Sequence, residues 1–106
     1  MAVIEATEEN FDELIQKGYS MVDFYGDHCG ACVGTAPFFR EAADDMAFIN
    51  FIKINTSTYP KIAERFHIMG LPTFLYFYNG KQIHRSCGGM NLEGIQEQVA
   101  NMLYHK

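Results

Sequence analysis

Two cysteines separated by two small residues are the part of this sequence best suited to chemistry. Cys29 and Cys32 lie in the segment DFYGDHCGACVG (residues 23–34), and His28 directly precedes the first of them. Residues three apart on a helix lie on the same face, and their Cα atoms are close to the ~5.5 Å separation that a disulfide needs. The spacing alone allows four interpretations of the pair: a redox-active dithiol, a structural disulfide, a metal clip and a chance pairing.

The elements around the pair favour the dithiol. The run SMVDFYG (residues 20–26) predicts a strand buried on both faces, and a helix is predicted from about Gly30 to Met46. A sulfur at a helix N-terminus faces unpaired backbone N–H groups and the positive end of the helix dipole, which stabilise a thiolate over a thiol. We therefore expect Cys29 to be the attacking thiolate and Cys32, one turn further on, to resolve the mixed disulfide.

The other interpretations of the pair are weaker. A disulfide across two residues closes too small a loop to stabilise a fold much. Zinc usually takes four ligands, and only Cys87 and His28 remain as plausible helpers. A lone CxxC pair also occurs by coincidence, but its strand-to-helix setting favours redox chemistry.

The rest of the chain predicts alternating strands and helices. Residues 48–54, FINFIKI, are typical of a second buried strand, and Asn79-Gly80 between TFLYFY and KQIHRS is typical of a hairpin with a type I′ turn. Helices are expected to begin near Thr7, Gly30, Pro60 and Leu92. The order strand, helix, strand, helix, strand, helix, hairpin, helix predicts an α/β fold with a mixed sheet, in a single domain over residues 1–106.

Composition and charge disfavour several classes of protein. The chain has 13 acidic and 8 basic side chains and a net charge of −5, and a chain without a basic cluster is a poor candidate for binding nucleic acid or anionic membrane. Its apolar stretches are too short to span a bilayer, and its first ten residues do not resemble a signal peptide. We expect a soluble, cytoplasmic monomer, which suits an odd count of 3 cysteines.

Several motifs, in order, resemble those of the thioredoxin family across nearly the whole chain. MVDFYGDHCGACVGTAPFF is similar to that family's strand, CGPC active site and kinked helix, and IMGLPTFLYFYNGK to its Gly-Ile-Pro-Thr segment and hairpin. The resemblance implies the thioredoxin fold, a central five-stranded mixed β-sheet flanked by four α-helices. It also implies reduction of disulfides in proteins without a bound cofactor, with electrons passing from NADPH through a thioredoxin reductase.

The resemblance also implies roles for individual residues. Cys29 matches the nucleophile, Cys32 the resolving thiol, and Asp23 a buried acid that moves the proton of the resolving thiol. Burial of a carboxyl in MVDFY should raise its pKa toward neutrality, unless the side chain caps a turn or points to solvent. Lys53 matches a lysine near that aspartate, although its tail could reach solvent instead. Pro72 matches a cis-proline that faces the disulfide.

A groove for substrate is expected beside the dithiol. By the same resemblance, Leu71 offers backbone hydrogen bonds to an extended substrate segment, and Gly88 and Met90 wall the other side of the groove. An apolar rim suited to docking varied proteins is expected from Ala31, Val33, Met69, Leu71 and Met90.

Two departures from the family pattern lie at the dithiol itself. His28 replaces a tryptophan, and Ala31 replaces the proline between the cysteines. An Ala31 N–H aimed at Cys29 would stabilise the thiolate, and we expect a potential less reducing than that of a CGPC protein by a few tens of millivolts. Gly30 belongs to the same tuning group. His28 either makes Cys29 reactivity respond to pH or points away into solvent.

Rival functions remain at this stage. They are a more oxidising disulfide oxidase or isomerase, a metal or iron–sulfur carrier, and a redox-silent binding module. Cys87 is either a regulatory thiol or an unreactive buried cysteine, and the buried alternative is favoured.

Overall fold

One mixed sheet of five strands organises residues 2–104, the part of the chain that this computed structural model describes. In chain order the strands are β1 (Val3–Glu5), β2 (Tyr19–Tyr25), β3 (Asn50–Asn55), β4 (Thr73–Tyr78) and β5 (Lys81–Cys87). Their spatial order is β1-β3-β2-β4-β5. The neighbours β1, β3 and β2 run parallel, whereas β4 is antiparallel to β2, and β5 to β4. The predicted five-stranded mixed sheet is confirmed.

Helices cover both faces of this sheet. Within the described residues they are α1 (Phe11–Leu14), α2 (Gly30–Asp45), α3 (Pro60–Arg65) and α4 (Leu92–Leu103). Successive side chains of a strand point to opposite faces. Met21 therefore packs in a core with α2 and α4, and Val22 packs in a second core with α1 and α3. The α/β class and the predicted order of elements are confirmed.

The first helix begins later than the sequence predicts. Thr7 and Asn10 exchange hydrogen bonds, with the Thr7 N–H donating to Asn10 Oδ1 at 2.7 Å and the Asn10 N–H donating to Thr7 Oγ1 at 3.2 Å. This reciprocal exchange has the pattern of a capping box, here around a turn over residues 8–10. The helix itself begins at Phe11, so the predicted start at Thr7 is wrong by one turn.

The hairpin between β4 and β5 has the predicted turn. Asn79 and Gly80 have φ angles of 49° and 86°, and a type I′ turn needs positive φ at both central positions. Asn79 also exchanges two hydrogen bonds with Gly18, one through its side chain and one through its backbone N–H. This pairing fixes the hairpin to the loop that precedes β2.

The topology brings three segments together at one edge of the sheet. Strand β2 ends at Tyr25, and α2 begins five residues later, at Gly30. Because β4 is antiparallel to β2, its first residue, Thr73, pairs with Phe24 near the end of β2. The segment that precedes β4 is therefore placed beside the start of α2, where the two cysteines lie.

Candidate active site

Cys29 and Cys32 form a disulfide at the N-terminus of α2. Their Cα atoms are 5.3 Å apart, and Cys29 is the N-cap residue, with extended backbone angles. The Cys32 N–H donates to Cys29 Sγ at 3.1 Å. Cys29 is half-buried, whereas Cys32 is only 6% exposed. The more accessible sulfur is thus the one that a helix N–H group and the helix dipole stabilise as an anion.

Cys29 Sγ accepts a hydrogen bond in the first turn of α2, while the expected contribution of the Ala31 N–H to the reduced thiolate stays a prediction. In this oxidised form, the hydrogen bond to Cys29 Sγ within residues 2–104 comes from the N–H of Cys32, not from that of Ala31. Cys32 occupies the third helical position, where the N–H of a first turn ordinarily meets an N-cap side chain. Ala31 therefore does not stabilise the oxidised sulfur directly. Gly30 and Ala31 are both exposed in that turn.

Asp23 lies on β2, on the sheet face that α2 covers, and is only 3% exposed. Its Oδ1 atom is buried without a hydrogen-bond partner among the described residues. Burial raises the pKa of Asp23 from 3.8 to about 7, against a lowering influence of the Lys53 charge and with a smaller raising influence of Glu5. The side chain therefore neither caps a turn nor points to solvent. Its carboxyl can take up and release a proton near neutral pH.

A cavity of about 480 Å³ joins this carboxyl to the dithiol. Its lining includes Asp23, Tyr25, His28, Cys32, Val33 and Lys53. A cavity of this size has room for water, and Asp23 and Cys32 in its lining offer polar atoms that can bind it. Water there would connect the acid with the sulfur that must gain or lose a proton.

Lys53 lies directly opposite Asp23 in the parallel pairing of β2 and β3. Its ammonium nevertheless pairs with Glu5, at 3.5 Å between Nζ and Oε1, and lies 5.5 Å from the centre of the Tyr25 ring. The Tyr25 hydroxyl donates to the second oxygen of Glu5 at 2.7 Å. Sequence reasoning did not single out Glu5, because the strand that carries it has only three residues.

The segment before β4 packs on the loop that follows β2 and pairs with the loop that follows β5. The Leu71–Pro72 peptide bond is cis, and the buried Pro72 accepts the N–H of Gly88 at 2.9 Å through its carbonyl oxygen. Leu71 packs so closely on Gly26 that a Cβ there would lie 2.7 Å from Leu71 Cδ1. Pro72 and Gly88 therefore stand together, and Gly26 leaves the space that Leu71 occupies.

The expected apolar rim is only partly exposed. Val33 is 73% exposed, Met69 93% and Leu71 37%, and Ala31 is exposed as well. Met90 differs, because it is half-buried and packs against the core that α2 and α4 share. The exposed part of the expected rim thus lies on the first turn of α2 and on the segment before the cis-proline.

Thr35 is a site residue that the sequence did not indicate. It is 2% exposed on α2, and its hydroxyl donates to the Ala31 carbonyl at 2.9 Å while accepting the Met90 N–H at 3.0 Å. A Cβ on Gly89 would lie 2.9 Å from the same hydroxyl oxygen. Thr35 therefore holds the loop of Gly88 and Met90 against the helix that presents the dithiol.

The two remaining residues singled out in the sequence, His28 and Cys87, are both exposed. His28 is exposed, with a φ of 57°, in the left-handed region that favours glycine. Cys87 is also exposed, so the expectation that it is buried is wrong. It lies at the end of β5, the edge strand, next to Gly88. The Thr73 hydroxyl donates a long hydrogen bond of 3.9 Å to its sulfur.

A disulfide at a helix N-terminus with a buried acid beneath it, on a mixed sheet of this topology, defines a thioredoxin-fold dithiol protein. Comparison of the sequence with known protein families agrees, because the Thioredoxin family model matches residues 2–101. The chain therefore belongs to the thioredoxin family. It is a thioredoxin-type protein-disulfide oxidoreductase, with Cys29 and Cys32 as its CxxC pair.

Curated relatives from bacteria and plants are named thioredoxins. A thioredoxin of Staphylococcus saprophyticus subsp. saprophyticus is 33% identical over 97% of this chain and 100% of its own length. A thioredoxin of Chlamydia muridarum is 30% identical over 89% of this chain and 92% of its own. The chloroplastic thioredoxin Y of Oryza sativa subsp. japonica is 37% identical over 92% of this chain, which spans 60% of that longer protein.

The rival functions are not favoured by these findings. Across residues 2–104, no three His, Cys, Asp or Glu side chains are grouped as a metal site would require. None of the helices in that range has the length and apolarity needed to cross a membrane.

Proposed function

We propose that the protein reduces disulfides in other proteins through two successive exchanges at Cys29 and Cys32. In the first, the Cys29 thiolate attacks one substrate sulfur, so that a mixed disulfide forms and the other substrate sulfur leaves as a thiolate. In the second, Cys32 attacks Cys29 Sγ, the intramolecular disulfide forms, and the remaining substrate sulfur leaves. Two electrons pass from the dithiol to the substrate. The observation that supports this order is the half-buried Cys29 sulfur at the N-cap, facing the Cys32 N–H.

In this proposal Asp23 is the proton acceptor for Cys32. A thiol is a poor nucleophile, so Cys32 must lose a proton before it attacks, and a base with a pKa of about 7 suits that transfer near neutral pH. The cavity that Asp23 and Cys32 both line gives the proton a path through water. The Lys53 ammonium limits how far burial raises the pKa of Asp23.

Substrate is proposed to dock in the groove beside the disulfide. Leu71 would pair with an extended substrate segment through its backbone, next to the cis peptide bond of Pro72. Val33 would contact the substrate on one side, and the loop of Gly88 and Met90 would bound the other. Exposed Val33 and Leu71 side chains support an apolar contact.

The redox potential is proposed to depend on His28, Gly30 and Ala31. The first helical turn lacks a proline, and this supports a less reducing potential than that of a CGPC dithiol. His28 is proposed to favour the Cys29 thiolate when its imidazole is protonated. Alkylation of Cys29 against pH in His28→Ala tests that part, since an unchanged profile would remove His28 from the group.

The oxidised protein is proposed to be re-reduced by a thioredoxin reductase that draws electrons from NADPH. In this role the chain, a single domain over residues 1–106, would act as a monomeric cytoplasmic carrier in electron transport and cell redox homeostasis. The acidic net charge of −5 supports protein partners rather than nucleic acid or membrane.

Insulin reduction coupled to NADPH oxidation by a thioredoxin reductase tests the whole proposal. We expect turnover by the native chain, loss of turnover in Cys29→Ser, and a trapped mixed disulfide in Cys32→Ser. Cys87→Ser is the matched control, because it removes an exposed thiol outside the CxxC pair and should leave turnover unchanged. A native chain that dithiothreitol reduces but the reductase does not would contradict the proposed electron donor. Retained turnover in Cys29→Ser would contradict the proposed nucleophile.

A further inference from the structure

Three charged residues lie side by side across three parallel strands. Glu5 on β1 pairs with Lys53 on β3, and Lys53 pairs with Asp23 on β2. Partners in such a register point to the same sheet face and lie about 4.8 Å apart from strand to strand. The row therefore places one ammonium between two carboxylates, of which one is half-exposed and the other buried.

The ammonium of Lys53 is engaged by the outer carboxylate. The ion pair that Lys53 makes within the described residues is with Glu5, at 3.5 Å, and not with Asp23. Tyr25 holds the Glu5 side chain in place by donating its hydroxyl to Oε2 at 2.7 Å. Both Glu5 oxygens are thus occupied, while Oδ1 of Asp23 has no hydrogen-bond partner in residues 2–104.

We propose that Glu5 is a positioning residue that sets the pH at which Asp23 can accept the Cys32 proton, by holding the Lys53 ammonium away from Asp23. Without Glu5, the lysine would turn toward the only other carboxylate in its row and stabilise Asp23 as an anion. The negative charge of Glu5 acts in the same direction at longer range. This inference rests on the proposed role of Asp23 as the proton acceptor.

Several other titratable groups lie around Asp23 or Lys53. Among the described residues, Tyr25, Asp27, His28 and Cys32 line the cavity with Asp23, and Tyr76 is close enough to feel its charge. Arg40 and Asp44 on α2 line a second cavity with Lys53, but both are exposed. Burial raises the pKa of both tyrosine hydroxyls, so they stay uncharged at neutral pH. Asp27 and His28 are exposed, where water and salt screen their charges. Glu5 and Lys53 therefore remain as the pair whose arrangement changes the charge beside Asp23.

The sign of the effect follows from the same contacts. The pKa of Asp23 is raised first by burial, lowered by Lys53 and raised by Glu5. Replacing Glu5 with glutamine removes the carboxylate charge and frees the ammonium, and both changes favour ionised Asp23. Glutamine still offers an oxygen to the Tyr25 hydroxyl, so the packing at this point is kept.

NMR titration of the Asp23 carboxyl carbon in oxidised Glu5→Gln is the primary experiment. The oxidised form is chosen because Cys29 and Cys32, the cysteines near Asp23, then carry no titrating thiols. We expect the Asp23 midpoint to fall by about one pH unit, the shift that a cation newly placed within a few ångströms produces. Glu97→Gln, which removes an exposed glutamate on α4, is the matched control and should leave the midpoint in place.

Kinetics then separate positioning from a merely structural ion pair, which would leave the pH dependence unchanged. In single-turnover reduction of a peptide disulfide by Glu5→Gln, the acid limb for release of the second thiolate should move down by the same interval. In a Lys53→Met background, Glu5→Gln should shift the midpoint much less, because the ammonium is gone. An unchanged Asp23 midpoint in Glu5→Gln overturns the inference, and so does a shifted midpoint with an unmoved acid limb. Loss of the acid limb in Asp23→Asn is a separate test, since it bears on Asp23 as the acceptor.

Discussion

Asp23 and Lys53 face each other in the pairing of β2 and β3, yet the ion pair of Lys53 is with Glu5. The buried carboxyl is consequently left without an ionic partner, and burial outweighs the attraction of the nearby ammonium in setting its pKa near 7. An acid in this condition destabilises the folded chain whenever it is ionised. A stability cost at the site and a usable proton acceptor are thus two results of one arrangement.

The first prediction concerns stability in Asp23→Asn. The folded pKa, about 7, lies above the ordinary value of 3.8, so proton binding favours the fold fully below 3.8 and no longer does so once the pH passes 7. Over that interval the native protein loses about 4 kcal/mol that the variant does not lose. Urea unfolding of both oxidised proteins from pH 4 to pH 9 should therefore show a growing advantage for Asp23→Asn.

The pH dependence, not the offset, is the measured quantity, because the buried asparagine amide adds a constant cost. Asp12→Asn is the control, since Asp12 is exposed and its pKa is lowered by its hydrogen bond to Arg65. Its stability relative to the native protein should not change between pH 5 and pH 9. Parallel curves for Asp23→Asn and the native protein would contradict the assigned pKa.

The second prediction concerns Ala31→Pro. Proline is tolerated in the first turn of a helix, so the fold should be kept, but the N–H at this position is lost. The Cys29 thiolate then has one donor fewer in the reduced form, and the potential should fall by a few tens of millivolts, with 30 mV equal to about 1.4 kcal/mol. Equilibration with glutathione measures it.

Ala31→Val is the matched control for that variant, because it adds bulk to the same exposed position and keeps the N–H. Its potential should stay close to the native value. A native potential at or below about −270 mV, the value of thioredoxin itself, would contradict the expected poise. So would an Ala31→Pro potential equal to that of Ala31→Val.

Local patterns in the sequence predicted the features that depend on near neighbours. The apolar run that ends at Tyr25 and the helix that follows it placed the dithiol at a helix start, and Asn79-Gly80 gave the hairpin. An aspartate inside an apolar run was enough to expect a buried acid. In each case the physical cause lies within a few residues of its effect.

Features that depend on distant pairings were missed. Glu5 belongs to a strand of only three residues, and its ion pair exists only because β1 aligns with β3. Thr35 bonds a loop 55 residues away. Cys87 was expected to be buried because cysteines often are, but it is exposed at the end of β5, an edge strand whose polar residues Lys81, His84 and Arg85 predict that position. The register between strands is set by the whole sheet, which no local pattern contains.

The third prediction concerns the exposed rim. Val33→Ser replaces an apolar side chain with a small polar one. It adds no charge, so the Cys29 thiolate is unaffected. Loss of one apolar contact of about 1 kcal/mol should lower kcat/KM on a protein disulfide roughly fivefold. Reduction of a small-molecule disulfide should be unchanged. Phe48→Ser, at a 65% exposed position beyond the far end of α2, is the control and should change neither rate.

The final prediction concerns Thr35→Val, a variant of nearly the same shape without the hydroxyl. It removes the bond to the Ala31 carbonyl and leaves the Met90 N–H without its acceptor, at a cost of about 1–3 kcal/mol in the free energy of unfolding. Because the loop of Gly88 and Met90 then loses its tie to α2, KM for a protein disulfide should rise while the rate with a small disulfide stays near native. Thr58→Val, at an exposed threonine, should alter neither stability nor KM. Equal KM values for Thr35→Val and the native protein, alongside the expected loss of stability, would show that Thr35 supports the fold but does not position the groove wall.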